Sequence, residues 1–261
     1  GELNTPNYDG KAAGGVNTAF CIYNNDLYTF IGQKVYRFNY AKNEFVFCLT
    51  LPDSDGNIRF AQAYMGKLWI FVNNSGLYKI DMSTFKIEDH YTLLTDYEGN
   101  SLRTFYIDKK GYIWFGTIDG IYIFDPTDGK LSHNKHSRTD PFSLPNNSIW
   151  EISEDRQSNV WIGTYSGTLC YVNIDENNAF KTYHPQNSGL NHTPVSAFAE
   201  DQQYLWVGTE GGGINRMNKA TGEFSYITSA NSITSNNIKS LITDAGHNLW
   251  ISTFMGGLDL Y

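Results

Sequence analysis

Cysteine is nearly absent from this 261-residue chain: Cys21, Cys48 and Cys170 stand far apart and form no CxxC pair. An odd and sparse set is no disulfide framework and has no zinc spacing. The three read as small buried strand residues and leave the compartment open. Basic residues are scarce too, 19 Lys and Arg against 27 Asp and Glu, for a formal charge of −8. Without a basic surplus to displace counterions, nucleic acid is excluded as the main partner. No apolar run approaches the roughly 20 residues of a helical membrane span, and the opening GELNTPNYDG does not read as a signal peptide. Charged residues make up only 18% while aromatics reach 15%, a balance that excludes disorder. No segment shows a convincing 3.6-residue apolar stripe, so helices are not expected.

What the chain does have is a repeat. Trp69, Trp114, Trp161, Trp206 and Trp250 sit in closely similar stretches spaced 45, 47, 45 and 44 residues apart. An earlier copy places Tyr28 where the Trp belongs, 41 residues before Trp69, and only Trp150 falls outside the register. An apolar anchor precedes each aromatic by 11 or 12 residues: Val16, Ile58, Leu102, Ile149, Val195 and Ile238. Each unit reads as an anchor strand, a turn, the Trp strand, a Gly-containing turn, a third strand and a shorter polar fourth strand. Short segments rich in Val, Ile, Tyr and Thr, punctuated by Gly, Asn and Asp, predict an all-β fold.

Four strands in about 40–50 residues is the arithmetic of a β-propeller blade. The expectation is a single propeller, or a fragment of a longer array, over 1–261. Its blades run near 10–55, 56–99, 100–146, 147–192, 193–235 and 236–261. The sixth lacks a fourth strand unless residues 2–8 supply it. Tyr28, Trp69, Trp114, Trp161, Trp206 and Trp250 are expected to fill the wedges between blades, each indole burying about 150–250 Å².

The wording of the copies is more specific than that. Leu144-Pro145-Asn146-Asn147-Ser148-Ile149 followed by Asn159-Val160-Trp161-Ile162-Gly163-Thr164, and Ser232–Ile238 followed by Asn248–Thr253, resemble the two-component regulator propeller repeat. WD40 and kelch signatures are absent. The resemblance implies the extracytoplasmic, periplasmic sensor region of an inner-membrane hybrid two-component histidine kinase that detects oligosaccharides. It implies as partners an oligosaccharide ligand, the rest of the parent sensor chain, and a second copy in a homodimeric parent. It implies no cofactor, no nucleic acid and no membrane contact by this stretch, with the kinase elsewhere in the parent.

The residues themselves give no positive case for catalysis. Glu154-Asp155 and Glu200-Asp201 fall at first-hairpin turns, where Asp is favoured for local backbone bonding. A hydrolytic pair needs two carboxylates about 5–10 Å apart on one bond, and one per hairpin does not supply that. His133 and His136 form an HxxH without a zinc pattern around it, and no GxSxG turn is present. The alternatives kept beside the sensor reading are a propeller glycosidase or lyase and a protein-interaction platform.

A ligand is expected at the face bearing the second-to-third loops and the loops leading into each first strand, because loops carry specificity while strands hold them. Asp119, Tyr165, Glu210 and Phe254 lie on the former, Asn191 and His192 on the latter. The residue after each anchor is Asn17, Arg59, Arg103, Trp150, Ser196 or Lys239, a set expected to line the mouth. The expected site has Arg59, Arg103 and Lys239 facing an anionic group, Trp150 or Tyr165 stacking on a sugar, and Glu210 and Asn191 taking hydroxyls. Salt bridges from these bases to Asp55 and Glu98 are the alternative use.

Overall fold

The computed structural model describes residues 7–8, 11–12, 20–52, 58–94, 102–140, 142–165, 168–173, 179–183 and 185–261. Every regular element in them is a strand. Six antiparallel sheets follow one another along the chain, and the fold class is a β-propeller of six blade repeats. They fall into two compact units, residues 1–100 with two sheets and residues 101–261 with four.

In the first unit, sheet one holds Phe20–Tyr23, Asp26–Ile31, Lys34–Asn39 and Glu44–Thr50, and sheet two Ile58–Tyr64, Lys67–Val72, Gly76–Asp81 and Ile87–Tyr91. Two short strands, Asn7–Tyr8 and Lys11–Ala12, extend sheet one beyond its outer edge, Tyr8 pairing in parallel with Phe45. Asn7 and Tyr8 are therefore committed to the open edge of Glu44–Thr50 and do not complete the sixth sheet. Residues 2–6 and the anchor Val16 lie outside the described residues.

In the second unit, sheet three holds Leu102–Ile107, Ile113–Thr117, Gly120–Asp125 and Lys130–Asn134. Sheet four holds Ile149–Glu154, Val160–Thr164, Leu169–Val172 and Lys181–Tyr183, and sheet five Val195–Glu200, Tyr204–Thr209, Gly213–Asn218 and Phe224–Ile227. Sheet six has three described strands, Ile238–Thr243, Leu249–Thr253 and Gly257–Leu260.

The core lies between sheets. Trp114 and Ile121 of sheet three pack with Ile149, Ile152, Val160 and Cys170 of sheet four. Trp161 and Leu169 pack with Val195, Leu205 and Val207 of sheet five, and Trp206 and Ile214 with Ile238, Leu241 and Ile251 of sheet six. In the first unit Tyr28 and Phe30 pack with Ile58, Leu68 and Ile70 of sheet two. Each aromatic thus seals the wedge toward the following sheet. The glycine two residues after each Trp permits this approach. A Cβ on Gly116, Gly163 or Gly208 would stand 2.7, 2.9 or 2.6 Å from a methyl of Ile149, Val195 or Ile238, the anchors of the next sheets. Trp114, Trp161 and Trp206 are 0–6% exposed, whereas Trp250, expected in a blade core, is 38% exposed, with no further sheet of its unit packed on it among the described residues.

Each of these four indoles is also tied to its own first turn. The Nε1–H of Trp114, Trp161, Trp206 and Trp250 donates to Asp108, Asp155, Asp201 and Asp244 at 2.9, 2.8, 3.0 and 2.9 Å. The second carboxylate oxygen collects backbone N–H groups of the turn: those of Gln157 and Asn159 for Asp155, and of Gly246 and Asn248 for Asp244. Environment sets the ionisation. The carboxyl of partly exposed Asp244 is held down to about 2 by donation from Asn248 and Trp250. Burial pushes that of Asp108 up despite its bonds. Sheet two has no such acid; its turn carries Met65 and Gly66, and the Trp69 Nε1–H is buried without a partner among the described residues.

This difference is measurable. Trp161→Phe removes a charge-assisted bond and leaves a buried carboxylate short of a donor, whereas Trp69→Phe removes an orphan donor. In urea unfolding, Trp161→Phe is expected to cost about 1.5–3 kcal/mol more than Trp69→Phe. Equal losses would contradict the role of the carboxylate.

Candidate functional site

In sheets two to six the pairing of the first strand slips by one residue near its start. Ile58 faces Val72 but Phe60 faces Phe71; Leu102 faces Thr117 but Thr104 faces Gly116. The same slip separates Ile149 from Glu151, Val195 from Ala197 and Ile238 from Ser240. The residue left over in each bulge is Arg59, Arg103, Trp150, Ser196 or Lys239. A bulged residue leaves the ladder and its side chain is re-aimed out of strict alternation. In the second unit the first strands of successive sheets lie side by side, which sets four of these residues in sequence along one end.

Loops close over that end. The second-to-third loops bond to the lead-in loops: Gly120 N–H to the Asn147 carbonyl at 2.7 Å, Tyr165 N–H to Ser148 at 2.9 Å and Phe254 N–H to Asn237 at 2.8 Å. The N–H groups of Gly211 and Gly213 both donate to the Asn236 carbonyl at 3.0 Å. Backbone bonds therefore fix the tips while their side chains differ from sheet to sheet.

Arg103, Trp150 and Tyr165 come together. The guanidinium carbon of Arg103 lies 4.8 Å from the Trp150 ring centre and 5.7 Å from that of Tyr165. The two rings are 5.4 Å apart and inclined by 34°. Cation–π attraction of this kind holds the charge without neutralising it. The Nη1 of Arg103 is buried and has no hydrogen-bond partner among the described residues. Tyr165 is 55% exposed, so the cluster borders on solvent.

The other expected residues are engaged differently. The ammonium of Lys239 donates to Glu210 and lies 5.4 Å from the Phe254 ring, so these three form a second, self-neutralised cluster. Asn191 spends its side chain on the fold: Nδ2 donates to the Gly212 carbonyl at 3.0 Å, and Oδ1 accepts from Asn215 at 2.8 Å. His192 packs on Gly211 and Gly212, where an added Cβ would come within 2.6 and 2.2 Å of it; the glycine run exists to admit this loop. Asp119 pairs with Lys135 at 2.7 Å. Arg59, in the first unit, is exposed, with its guanidinium 6.0 Å from the Phe60 ring. Asp55 and Glu98 fall outside the described residues, and so does Asn17.

The histidines of the HxxH act separately. His133 donates through Nε2 to the Asp119 carbonyl and stacks on Tyr122, whereas His136 donates through Nδ1 to the Leu144 carbonyl, both at 2.7 Å. Among the described residues no three metal-ligating side chains converge. The turn acids Glu154 and Glu200 bind neighbouring lysines, Glu154 taking the Lys109 N–H at 2.7 Å and Glu200 the Lys219 ammonium at 2.9 Å.

One residue beside the cluster escaped sequence reasoning. Glu151 follows Trp150 on the bulged strand, and burial pushes its carboxyl up to about 7, opposed only by the Ile152 backbone N–H. The signal available was its place two residues after an anchor, opposite Gly163 in the ladder.

The comparisons with known proteins bear on these strands. Residues 96–119 and 143–166 match the two component regulator propeller family. The likeness to that repeat is carried by these two segments. In sheets three and four the matched repeats span the lead-in loop, the bulged first strand and the Trp strand. No curated protein matches the chain. Among solved structures, the extracellular domain assigned to the hybrid two component system BT3049 from B. thetaiotaomicron is 20% identical. That likeness covers 91% of this chain and 36% of that one, with a TM-score of 0.45. PorZ, a surface component of the type-IX secretion system of Porphyromonas gingivalis, is 16% identical over 92% of this chain and 38% of its own, with a TM-score of 0.71. YCF48, solved with D1 peptide bound, is 12% identical over 100% of this chain and 82% of its own, also at 0.71. The likeness to PorZ and YCF48 is one of fold. The chain spans less than two fifths of the length of the solved BT3049 extracellular domain and of the solved PorZ chain.

The raised carboxyl of Glu151 predicts a pH dependence. The folded state holds its proton up to about 7, the unfolded chain only to about 4.5, so stability falls as pH rises between the two. Glu151→Gln is expected to gain on the order of 2 kcal/mol over wild type at pH 8 and nothing at pH 4, read from thermal midpoints at both pH values.

Proposed function

We propose that this chain is the extracytoplasmic ligand-sensing propeller region of a hybrid two-component sensor. In this reading it recognises an oligosaccharide and performs no chemistry on it, while the kinase resides elsewhere in the parent chain. The repeats, the fold and the family description support the sensor role. The observation that carries the ligand reading is the Arg103 guanidinium, held against Trp150 and Tyr165 with Nη1 unpaired among the described residues. Aromatic faces suit the apolar faces of sugar rings, and an un-neutralised guanidinium suits a carboxylate or sulfate on the sugar. The Lys239–Glu210 pair with Phe254 forms a second cluster on the same loop end, where Asn191 and His192 hold the Gly211–Gly213 loop next to Glu210. The acidic remainder of the chain repels the same ligand elsewhere, giving selectivity in place of general stickiness.

A second reading, a peptide-binding platform, is favoured by the loop tip Phe254-Met255, 55% and 92% exposed. YCF48, of like fold, holds a peptide. Binding on that tip would respond to Phe254→Ser and not to Arg103→Ala.

Calorimetric titration with tri-galacturonate and with neutral galactotriose, which lacks the carboxylates, tests the first reading. Arg103→Ala is expected to weaken tri-galacturonate binding about tenfold or more, equivalent to about 1.4 kcal/mol, and to leave galactotriose unaffected. Unchanged affinity in Arg103→Ala overturns the anionic form of the proposal. Release of reducing sugar from polysaccharides, abolished by one acidic substitution, overturns the non-catalytic one.

A further inference from the structure

The third and fourth strands of sheet three carry a second group of unspent side chains. The residue opposite the indole on the third strand is Lys79, Ile123, Tyr171 or Arg216 in sheets two to five. Three of these are long and lie against the ring. The Lys79 ammonium is 5.7 Å from the Trp69 ring centre, the Arg216 guanidinium 5.8 Å from that of Trp206, and the Tyr171 ring 4.7 Å from Trp161. In sheet three the place goes to the shorter Ile123, with Ser132 beside it on the fourth strand. A cleft of about 430 Å³ remains there, between sheets three and four. That volume falls within the range of ordinary small-molecule sites.

At the end of this cleft away from the loop cluster, opposite charges stand side by side without meeting. Asp125 closes the third strand and Lys130 opens the fourth, directly opposite each other in the ladder. One carboxylate oxygen of Asp125 accepts the N–H and the hydroxyl of Thr127 at 2.8 and 2.6 Å. These bonds hold its carboxyl below the usual carboxylate range, so it is ionised at neutral pH. Its other oxygen and the Lys130 ammonium have no partner among the described residues, and the Asp128 carboxylate accepts only the Lys130 backbone N–H. Sheet two shows what such a carboxylate can hold. There Asp81 accepts the Ser83 and Thr84 N–H groups on one oxygen and takes the Lys67 ammonium on the other at 2.7 Å. Lys67 stands two residues before Trp69; the residue two before Trp114 is Tyr112, which brings no cation to Asp125.

Tyr112 lines the same cleft and is half-buried. Among the described residues its ring meets no other ring and no cation, and its hydroxyl makes no hydrogen bond. Half-buried Ile123 lies beside it, and Val172 and Phe180 from sheet four and its last connection line the opposite wall. The cleft thus sets a carboxylate and an ammonium next to each other over a slot that is mainly apolar. An α-amino acid carries the complementary set at that spacing, since its ammonium and carboxylate share one carbon from which the side chain departs. Each charged group can then make a charge-assisted bond to the ligand. Asp128 leaves the rim with an excess of negative charge, which disfavours a plain carboxylic acid.

We propose that this cleft binds a free α-amino acid with an apolar or aromatic side chain, its ammonium on Asp125, its carboxylate on Lys130 and its side chain against Tyr112 and Ile123. The site is separate from the Arg103 cluster, and its ligand class follows from the cleft alone. Saturation-transfer NMR titration with L-phenylalanine and L-leucine tests it. Phenethylamine, which lacks the carboxylate, and phenylpropionate, which lacks the ammonium, serve as controls. Wild type and Arg103→Ala are expected to bind at least one of the amino acids, and more tightly than either control. Asp125→Asn, which keeps an acceptor for Thr127, and Lys130→Ala are each expected to weaken that binding about tenfold or more, through loss of one charge-assisted bond. Lys130 is exposed, so its variant keeps the test valid if Asp125→Asn fails to fold. No transfer to either amino acid, or unchanged affinity in Lys130→Ala and Asp125→Asn, overturns the proposal. Phenethylamine binding as tightly as L-phenylalanine overturns the amino-acid class. Loss of binding in Arg103→Ala with full binding in the cleft variants overturns the location.

Discussion

The bond from an indole to the carboxylate of its own first turn joins three parts of a blade that are each weak alone. It closes a tight turn, because the same carboxylate gathers that turn's backbone N–H groups. It fixes the ring of the second strand in one orientation, and that ring seals the wedge against the next sheet. Strands of four to six residues bury too little surface to hold a sheet by themselves. Here the turn, the ring and the neighbouring sheet stabilise one another. Sheet two shows the arrangement without its acid: Trp69 still packs, 4% exposed, but leaves a donor unpaired.

Close approach is the second half of the same constraint. Gly116, Gly163 and Gly208 leave no room for even a methyl group against the following anchor. Successive first strands therefore stand near enough for direct bonds, as where the Ser196 hydroxyl donates to the Ile238 carbonyl at 2.7 Å. The loop end inherits its rigidity from this packing, and Arg103 can lie over Trp150 of the next sheet because their strands adjoin.

Much of this was legible in the chain. The Trp spacing gave the number of sheets, and the anchors Ile58, Leu102, Ile149, Val195 and Ile238 are the first residues of their strands. The fourth strands were harder, since Lys181–Tyr183 has only three residues, Ile87–Tyr91 is mostly exposed, and neither carries much pattern. The turn acids read only as turn formers, because their indole partners lie five or six residues on and the bond crosses the hairpin. At the site, sequence position placed Arg103, Trp150 and Tyr165 on one face but could not show that the rings clasp the guanidinium. Nor could it show that Asn191 is consumed by Asn215, a partner 24 residues away. The bulges were invisible for a different reason: a one-residue slip alters pairing and leaves composition unchanged.

Those bulges also bear on how such a scaffold can vary. A residue outside the ladder exchanges no paired backbone bonds, so its identity is decoupled from the pairing register around it. The five equivalent positions hold Arg, Arg, Trp, Ser and Lys, a wide spread of size and charge. Each of these five sheets thus offers one interchangeable slot at the loop end, and the chemistry presented there can be rewritten one side chain at a time while the sheets beneath keep their order.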